Sequence, residues 1–400
     1  MRQKRVLVIN QYFPPDTAAT AKMVAQLVAY LSRQFAVTVL AGRPSYNPTE
    51  RHPFYLWRRE RWGAVVVERV GSTALPRHRM RWRLSNYLTY LAFALPRALA
   101  LPADIIIAMT DPPLTCLLGA FVARWRKLPF IYNIRDLHPD MAIAAGLLPP
   151  CRWTESWERL HRWAMRQADW IVVLGEDMKE RVIAKGVPPQ KIVVVRDGTF
   201  IPSSLPPPDH PIAQELRKGF PFVAMHAGNL GFYGAWETLI AAARQVKDES
   251  IGLIFIGDGA CKTRLCALID GNPNVLVLPF RPPKEVPFVL AAPDLHIVTV
   301  KRGMEGLVVP SKLYPILAAG KPVLVVVPEN SDPARIVQRA GCGLIADPDD
   351  PATVIAMLRW ARQNPDALQE MGQRAREIAP EFSADRQCQK FSELIAQTIA

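Results

Sequence analysis

No stretch of this 400-residue chain holds the ~20 consecutive apolar residues that a membrane-spanning helix needs. The most hydrophobic segment, LSNYLTYLAFALPRALAL at 84–101, runs twelve residues from Leu84 to Leu95 before Pro96 and Arg97 interrupt it. Cysteine is sparse, with six residues at 116, 151, 261, 266, 342 and 388. Cys261 and Cys266 stand C-x4-C with no second Cys or His pair nearby, so structural zinc is not expected. Reduced thiols in a cytosolic protein fit better. No secretory leader is apparent, because the first five residues lead straight into VLVIN without a cleavage-site pattern. Short-period repeats, low-complexity tails and nucleic-acid-binding signatures are missing too, which argues against DNA or RNA as a partner.

Acidic residues are outnumbered in one half only. Residues 1–200 hold 29 Lys and Arg against 15 Asp and Glu, a balance of +14. Residues 201–400 hold 20 against 21, a balance of −1, so the formal excess of +13 lies in the first half. Nine arginines and two glutamates fall within residues 51–83. So one-sided a field implies an anionic surface facing the first half. The cluster RHRMRWR at 77–83 runs directly into the apolar segment, with Trp82, Tyr87 and Tyr90 near the basic end. That arrangement suits a helix lying in a membrane interface, or equally a core-packed helix with a solvated basic flank.

Four hundred residues exceed one ordinary core, so two domains are expected. The first half alternates helical patterns such as 18–33 and 153–167 with β-rich runs at 6–10, 37–40, 65–69, 105–109, 130–134, 171–174 and 192–195. The second repeats the rhythm with runs at 222–227, 253–256, 275–279, 295–300, 322–327 and 343–346. Alternating β and α segments imply parallel sheets covered by helices, hence an α/β chain of two Rossmann-like domains. Proline and serine crowd the stretch GTFIPSSLPPPDHP from Gly198, which reads as a linker. The division expected is 1–200, a linker at 201–215, a second domain at 216–380, and a last helix at 381–400.

In such sheets ligands sit at the carboxyl ends of strands. The loop after the first run, QYFPPDTAATAK, offers small residues Ala18, Ala19 and Thr20 to a polar substrate. The loop IRDLHPDMAIAAGLL brings Arg135, Asp136, His138 and Asp140 together after a strand. HAGNLGFYG carries Gly228, Asn229 and Gly231, and FIGDGACK carries Gly257 and Gly259, where backbone can approach a ligand closely. Last comes EGLVVPSKLYPILAAGKPVL at 305–324. A helix is expected from Ser311, a favoured N-cap, to Gly320 and Pro322, with Pro315 tightening or displacing its start. Unpaired amides at Ser311, Lys312 and Leu313, beside a lysine, suit an anion.

The order VINQYFPP, RDLHPD, AGNLG, IGDG and EGLVVPSK…AAGKPVL resembles the retaining glycosyltransferases of family 4, in the bacterial branch that builds exopolysaccharide and lipopolysaccharide O-antigen. The resemblance runs over nearly the whole chain and is most specific in EGLVVPSKLY and RDLHPD. It implies the GT-B fold, with two facing Rossmann-like domains and a last helix, 382–398, that crosses back to the first. A nucleoside-diphosphate sugar would bind the second domain, and a saccharide acceptor, lipid-linked by the charge argument, the first. Glu305, with Asp136 and His138, would serve catalysis. Gly228, Asn229, Gly231, Gly257, Gly259, Gly306, Leu307, Val308, Ser311 and Lys312 would hold the donor, and Ala18, Ala19, Thr20 and Arg135 would face the acceptor. The sequence departs from the family where Pro315 stands for the second glutamate of the E-x7-E motif. It also lacks the Arg and Lys that often follow the glycine turn, and has Arg135-Asp136 where His-Asp is usual. Lys312 would then carry more of the phosphate charge. Neither cofactor nor metal is expected, the pair Asp349-Asp350 reading as a solvated turn. Peripheral contact with an anionic inner leaflet is expected of a cytoplasmic enzyme. Two rivals share the fold: a UDP-sugar 2-epimerase that does not hydrolyse its product, and a silent scaffold.

Overall fold

A computed structural model describes residues 3–46, 52–75 and 80–399. Arg77, His78 and Arg79 of the basic cluster lie outside them. The first sheet is built from β1 (Arg5–Ile9), β2 (Ala36–Gly42), β3 (Trp57–Trp62), β4 (Val65–Val70), β5 (Ile105–Ala108), β6 (Phe130–Asn133), β7 (Trp170–Val173) and β8 (Ile192–Val194). Its strand order is β3-β4-β2-β1-β5-β6-β7-β8. All neighbours are parallel except β3 and β4. The second sheet comprises β9 (Phe222–Ala227), β10 (Ile251–Ile256), β11 (Val275–Leu278), β12 (Leu295–Thr299), β13 (Val323–Val326) and β14 (Gly343–Ala346). It is wholly parallel, in the order β11-β10-β9-β12-β13-β14.

The thirteen expected β runs all form strands, and β3 is an addition. Its sequence, WRRERW, has no apolar alternation because it is an antiparallel edge strand exposed along almost its whole length. Arginine on an exposed edge also discourages pairing with another chain. Several arginines are spent internally. The buried Glu68 carboxylate takes Arg97 at 2.9 Å and Arg59 at 3.3 Å, while Arg69 reaches Glu60 at 2.5 Å. Less of the first-half charge is therefore free than the totals suggest.

Helices cover both faces because their apolar residues recur at helical spacing. In the helix Ala19–Leu31, Ala21, Val24, Ala25, Val28 and Leu31 form one buried stripe. The apolar segment becomes the helix Met80–Ala100. Asn86, Tyr90, Ala94 and Ala98, four residues apart, are buried, and the Tyr90 hydroxyl donates to Leu40 O at 2.9 Å. Of the two expectations, core packing holds for this stripe, while Leu84 and Leu88 remain exposed. Among the described residues no helix is long and apolar enough to cross a membrane.

The last helix, Ala384–Thr398, packs Phe391, Leu394 and Ile395 into the core of the first sheet. The chain thus crosses between domains twice, at Thr199 and near Ser383, and the crossings lie side by side. Thr199 N donates to Phe382 O and Ala384 N to Thr199 O, each at 2.9 Å.

Candidate active site

In the second sheet the strand order reverses between β9 and β12, so the loops leaving these strands diverge and open a crevice between them. After β9 comes the turn with Gly228, Asn229 and Gly231; after β12 comes the segment from Lys301 to Lys312. Lys301 N donates to Tyr233 O at 2.7 Å, fastening one to the other. The Lys312 ammonium lies over the turn, 3.2 Å from Asn229 O, 2.9 Å from the Tyr233 hydroxyl and 3.2 Å from His226 Nε2. Gly228, at φ +140°, is obligatory here, because a β-carbon would collide with the Lys312 side chain. Gly257 and Gly259 sit beneath, against Gly228 and Asn229. Burial pulls Lys312 down to about 7, and burial together with Lys312 pushes His226 well below the usual histidine range. A lysine near neutrality, set among glycine turns, is ready to be charged by an arriving anion.

Here the structure corrects one expectation. The helix begins at Leu313 and has six residues, two later than the N-cap reading placed it. Ser311 N donates to Val309 O at 2.9 Å and Leu313 N to Pro310 O at 3.1 Å, so these amides are already used. Pro315 stands at the third helical position, where its missing donor leaves no intrahelical bond unmade. Ser311 is exposed and Pro315 lines a cavity of about 190 Å³ beside Lys312. The groups left able to meet an anion are therefore the lysine and the glycine turns, rather than the helix start.

Glu305 faces the first domain. Its carboxylate accepts from Arg181 Nη2 at 3.1 Å and from Gly303 N at 2.7 Å. Gly306, at φ +69°, lets the backbone pass so near that a β-carbon would sit 2.6 Å from Asp177 O. Leu307, expected to touch the donor, is instead buried in the first domain's core, and its carbonyl accepts from Leu137 N at 3.0 Å. Val308 packs against the second domain.

On the opposite wall, Arg135 is committed to Asp197, with Nη2 2.6 Å from each carboxylate oxygen, so it is not the free acceptor contact expected. Asp136 is half-buried; burial, then the neighbouring Asp111, pushes it up to about 6. It follows β6, at the carboxyl end of the first sheet. His138 turns away from the cleft. Its ring stacks on Trp157 at 5.7 Å in an apolar cavity, and burial with Arg83 pulls it down to about 4. It is neutral at pH 7 and no longer a catalytic candidate. Ala18 is buried beside Tyr12, and Ala19 and Thr20 open the first helical turn at the cleft end of β1.

Sequence reasoning missed Tyr233, Arg181 and the buried interdomain pair of Arg196 with Asp332, at 2.6 Å. Tyr233 stood within the quoted glycine turn and was the available signal. Nothing local announced the others, because their partners lie more than a hundred residues away. The sequence does hold an Asp-x-Asp spacing, at Asp347 and Asp349, contrary to the absence of that motif on which the metal-free expectation rested; Arg302 holds both, at 2.7 and 2.5 Å. Cys261 is buried and Cys266 exposed, both as free thiols.

Two family models meet at the linker. Residues 19–198 match the glycosyl transferase 4-like domain, and residues 211–378 match glycosyl transferases group 1. The chain is a group 1 glycosyltransferase. A probable glycosyltransferase of Pseudomonas aeruginosa, WbjE, is 26% identical over 88% of each chain. The putative colanic acid biosynthesis glycosyl transferase WcaI of Escherichia coli strain K12 is 22% identical over 89% of this chain and 92% of its own. Sucrose-phosphate synthase from Thermosynechococcus elongatus superposes with a TM-score of 0.75 at 14% identity, over 99% of each chain. Anabaena HepE, solved with UDP and glucose, gives 0.69 at 16%, over 99% of this chain and all of its own. The transferase has the GT-B fold.

Proposed function

We propose that the transferase moves a sugar, with retained anomeric configuration, from a nucleoside diphosphate to a lipid-linked saccharide. The observation that carries this reading is Lys312, suspended over the Gly228 turn where the second sheet's strand order reverses. As the glycosidic bond breaks, negative charge collects on the departing diphosphate, and a preorganised cation beside it lowers the barrier. Asp136, whose carboxyl is pushed up by burial, is the group that would take the acceptor hydroxyl's proton. Glu305, held by Arg181, shapes the sugar end of the donor site. HepE with bound UDP and glucose supports a nucleotide-sugar donor, and the names of WcaI and of WaaG, a lipopolysaccharide-biosynthesis enzyme, support a polysaccharide product. The basic balance of the first half supports peripheral attachment to an anionic inner leaflet from the cytoplasmic side. No metal takes part in the reading.

The test is a thermal-shift screen of UDP-, GDP- and dTDP-sugars, since a ligand that binds only the folded form raises the melting point. The stabilising donor, radiolabelled in its sugar, is then incubated with membrane lipid extract, and the anomeric linkage of the product is read by NMR. Isomerised donor in the absence of acceptor would favour the epimerase. No stabilisation by any nucleotide would favour the scaffold.

A further inference from the structure

One cavity in the first domain lies outside the donor site. It encloses about 250 Å³ between the helices Met80–Ala100, Thr115–Arg126 and Arg152–Gln167. Its wall is almost wholly apolar, with Leu84, Leu114, Leu117, Leu148, Trp157 and Leu160 as main contributors. An apolar cavity of ~150 Å³ already holds a benzene ring, so this one has room for an extended aliphatic segment. It opens to solvent between side chains that are themselves exposed, Trp153 at 52% and Leu160 at 50%.

Its other end is polar. His138 Nδ1 and Arg83 Nε are buried there without hydrogen-bond partners. Arg83 leans on Tyr87, its Nη2 3.2 Å from the hydroxyl, and among the described residues no carboxylate pairs with it. An apolar chamber closed at one end by an unpaired cation is complementary to a hydrocarbon chain carrying an anionic head. That end also adjoins the second domain, because His138 of the chamber wall follows Leu137, whose N donates to Leu307 O.

We propose that this chamber binds the head-proximal hydrocarbon of a prenyl-type lipid diphosphate, with Arg83 meeting its diphosphate. The inference rests on the lipid-linked acceptor of the preceding subsection and assigns it a seat. Each methylene buried there strengthens binding about fourfold.

Farnesyl diphosphate and inorganic diphosphate are titrated into the full chain by calorimetry. Farnesyl diphosphate should bind at least a hundredfold more tightly. Leu84→Glu and Leu160→Glu, both at exposed positions and checked for unchanged melting, should each weaken it tenfold or more while leaving UDP binding as it was. Arg83→Gln should weaken farnesyl diphosphate but not farnesol. Equal binding of farnesyl and inorganic diphosphate overturns the proposal, as does tight binding that ignores all three substitutions. Transfer to a lipid-linked acceptor at unchanged KM in these variants sinks the chamber and leaves the acceptor reading intact. Chamber-dependent binding, with transfer only to lipid-free saccharides, does the reverse.

Discussion

If Lys312 is held near neutrality by burial, nucleotide binding at alkaline pH must draw a proton from solution. With its ammonium titrating at about 7, roughly one-tenth of the lysine is charged at pH 8. A diphosphate seated against it restores an ordinary lysine value near 10.4, at which it is almost fully charged. Uptake at pH 8 should therefore be about 0.9 proton per nucleotide; at pH 6 the lysine's own share falls to about 0.1, and the half-protonated terminal phosphate instead releases about half a proton. The nucleotide adds nothing at pH 8, being fully ionised itself. Calorimetric titration of the tightest of UDP, GDP and dTDP, in two buffers of different ionisation enthalpy, gives the proton count directly. Lys312→Met should abolish the uptake and weaken binding by ~10- to 100-fold, the usual worth of a hydrogen bond to a charged group. An uptake at pH 8 that persists in the methionine variant, or none in the wild type, refutes the placement of the diphosphate.

Among the interdomain ion pairs, Arg196–Asp332 and Arg181–Glu305 should behave differently. Arg196→Met strands the buried Asp332 carboxylate and should cost about 3–5 kcal/mol in denaturant unfolding. Arg181→Met loses a partly exposed pair with Glu305 and should cost under about 1 kcal/mol. Asp136 titrates at about 6, above its unfolded value, so the folded state binds the extra proton and stability falls as pH rises from about 4 to 6. Asp136→Asn should remove that slope and raise the melting point at pH 7. If the carboxylate takes the acceptor proton, transfer should fall ~100-fold or more; undiminished transfer would assign that step to another base. Activity in excess EDTA should match the untreated enzyme, and restoration by added magnesium of a chelator-silenced reaction would contradict the metal-free reading.

Strands were legible because burial on both faces writes continuous Val, Ile and Leu runs, and only the arginine-rich edge β3 escaped that rule. The glycine turns were legible for a related reason, since Gly228 sits at φ +140°, a conformation other residues rarely adopt. What pairing does to a charge was not legible. Arg135 looked available until Asp197, far along the chain, took it, and His138 looked catalytic until Trp157 covered its ring. Local sequence reports which groups can ionise; only the fold decides which of them remain unspent.

The two crossings between domains deserve a mechanical reading. Thr199 and Ala384 are bonded to each other's strands, so both covalent links pass through almost one point, with Arg196 and Asp332 as a buried stud close by. The partly exposed Arg181–Glu305 clasp is weaker than that stud. A joint of that construction swings rather than slides. Parting the domains at the clasp requires Leu307 to leave the first domain's core, so the motion should stay a small rotation about the pivot.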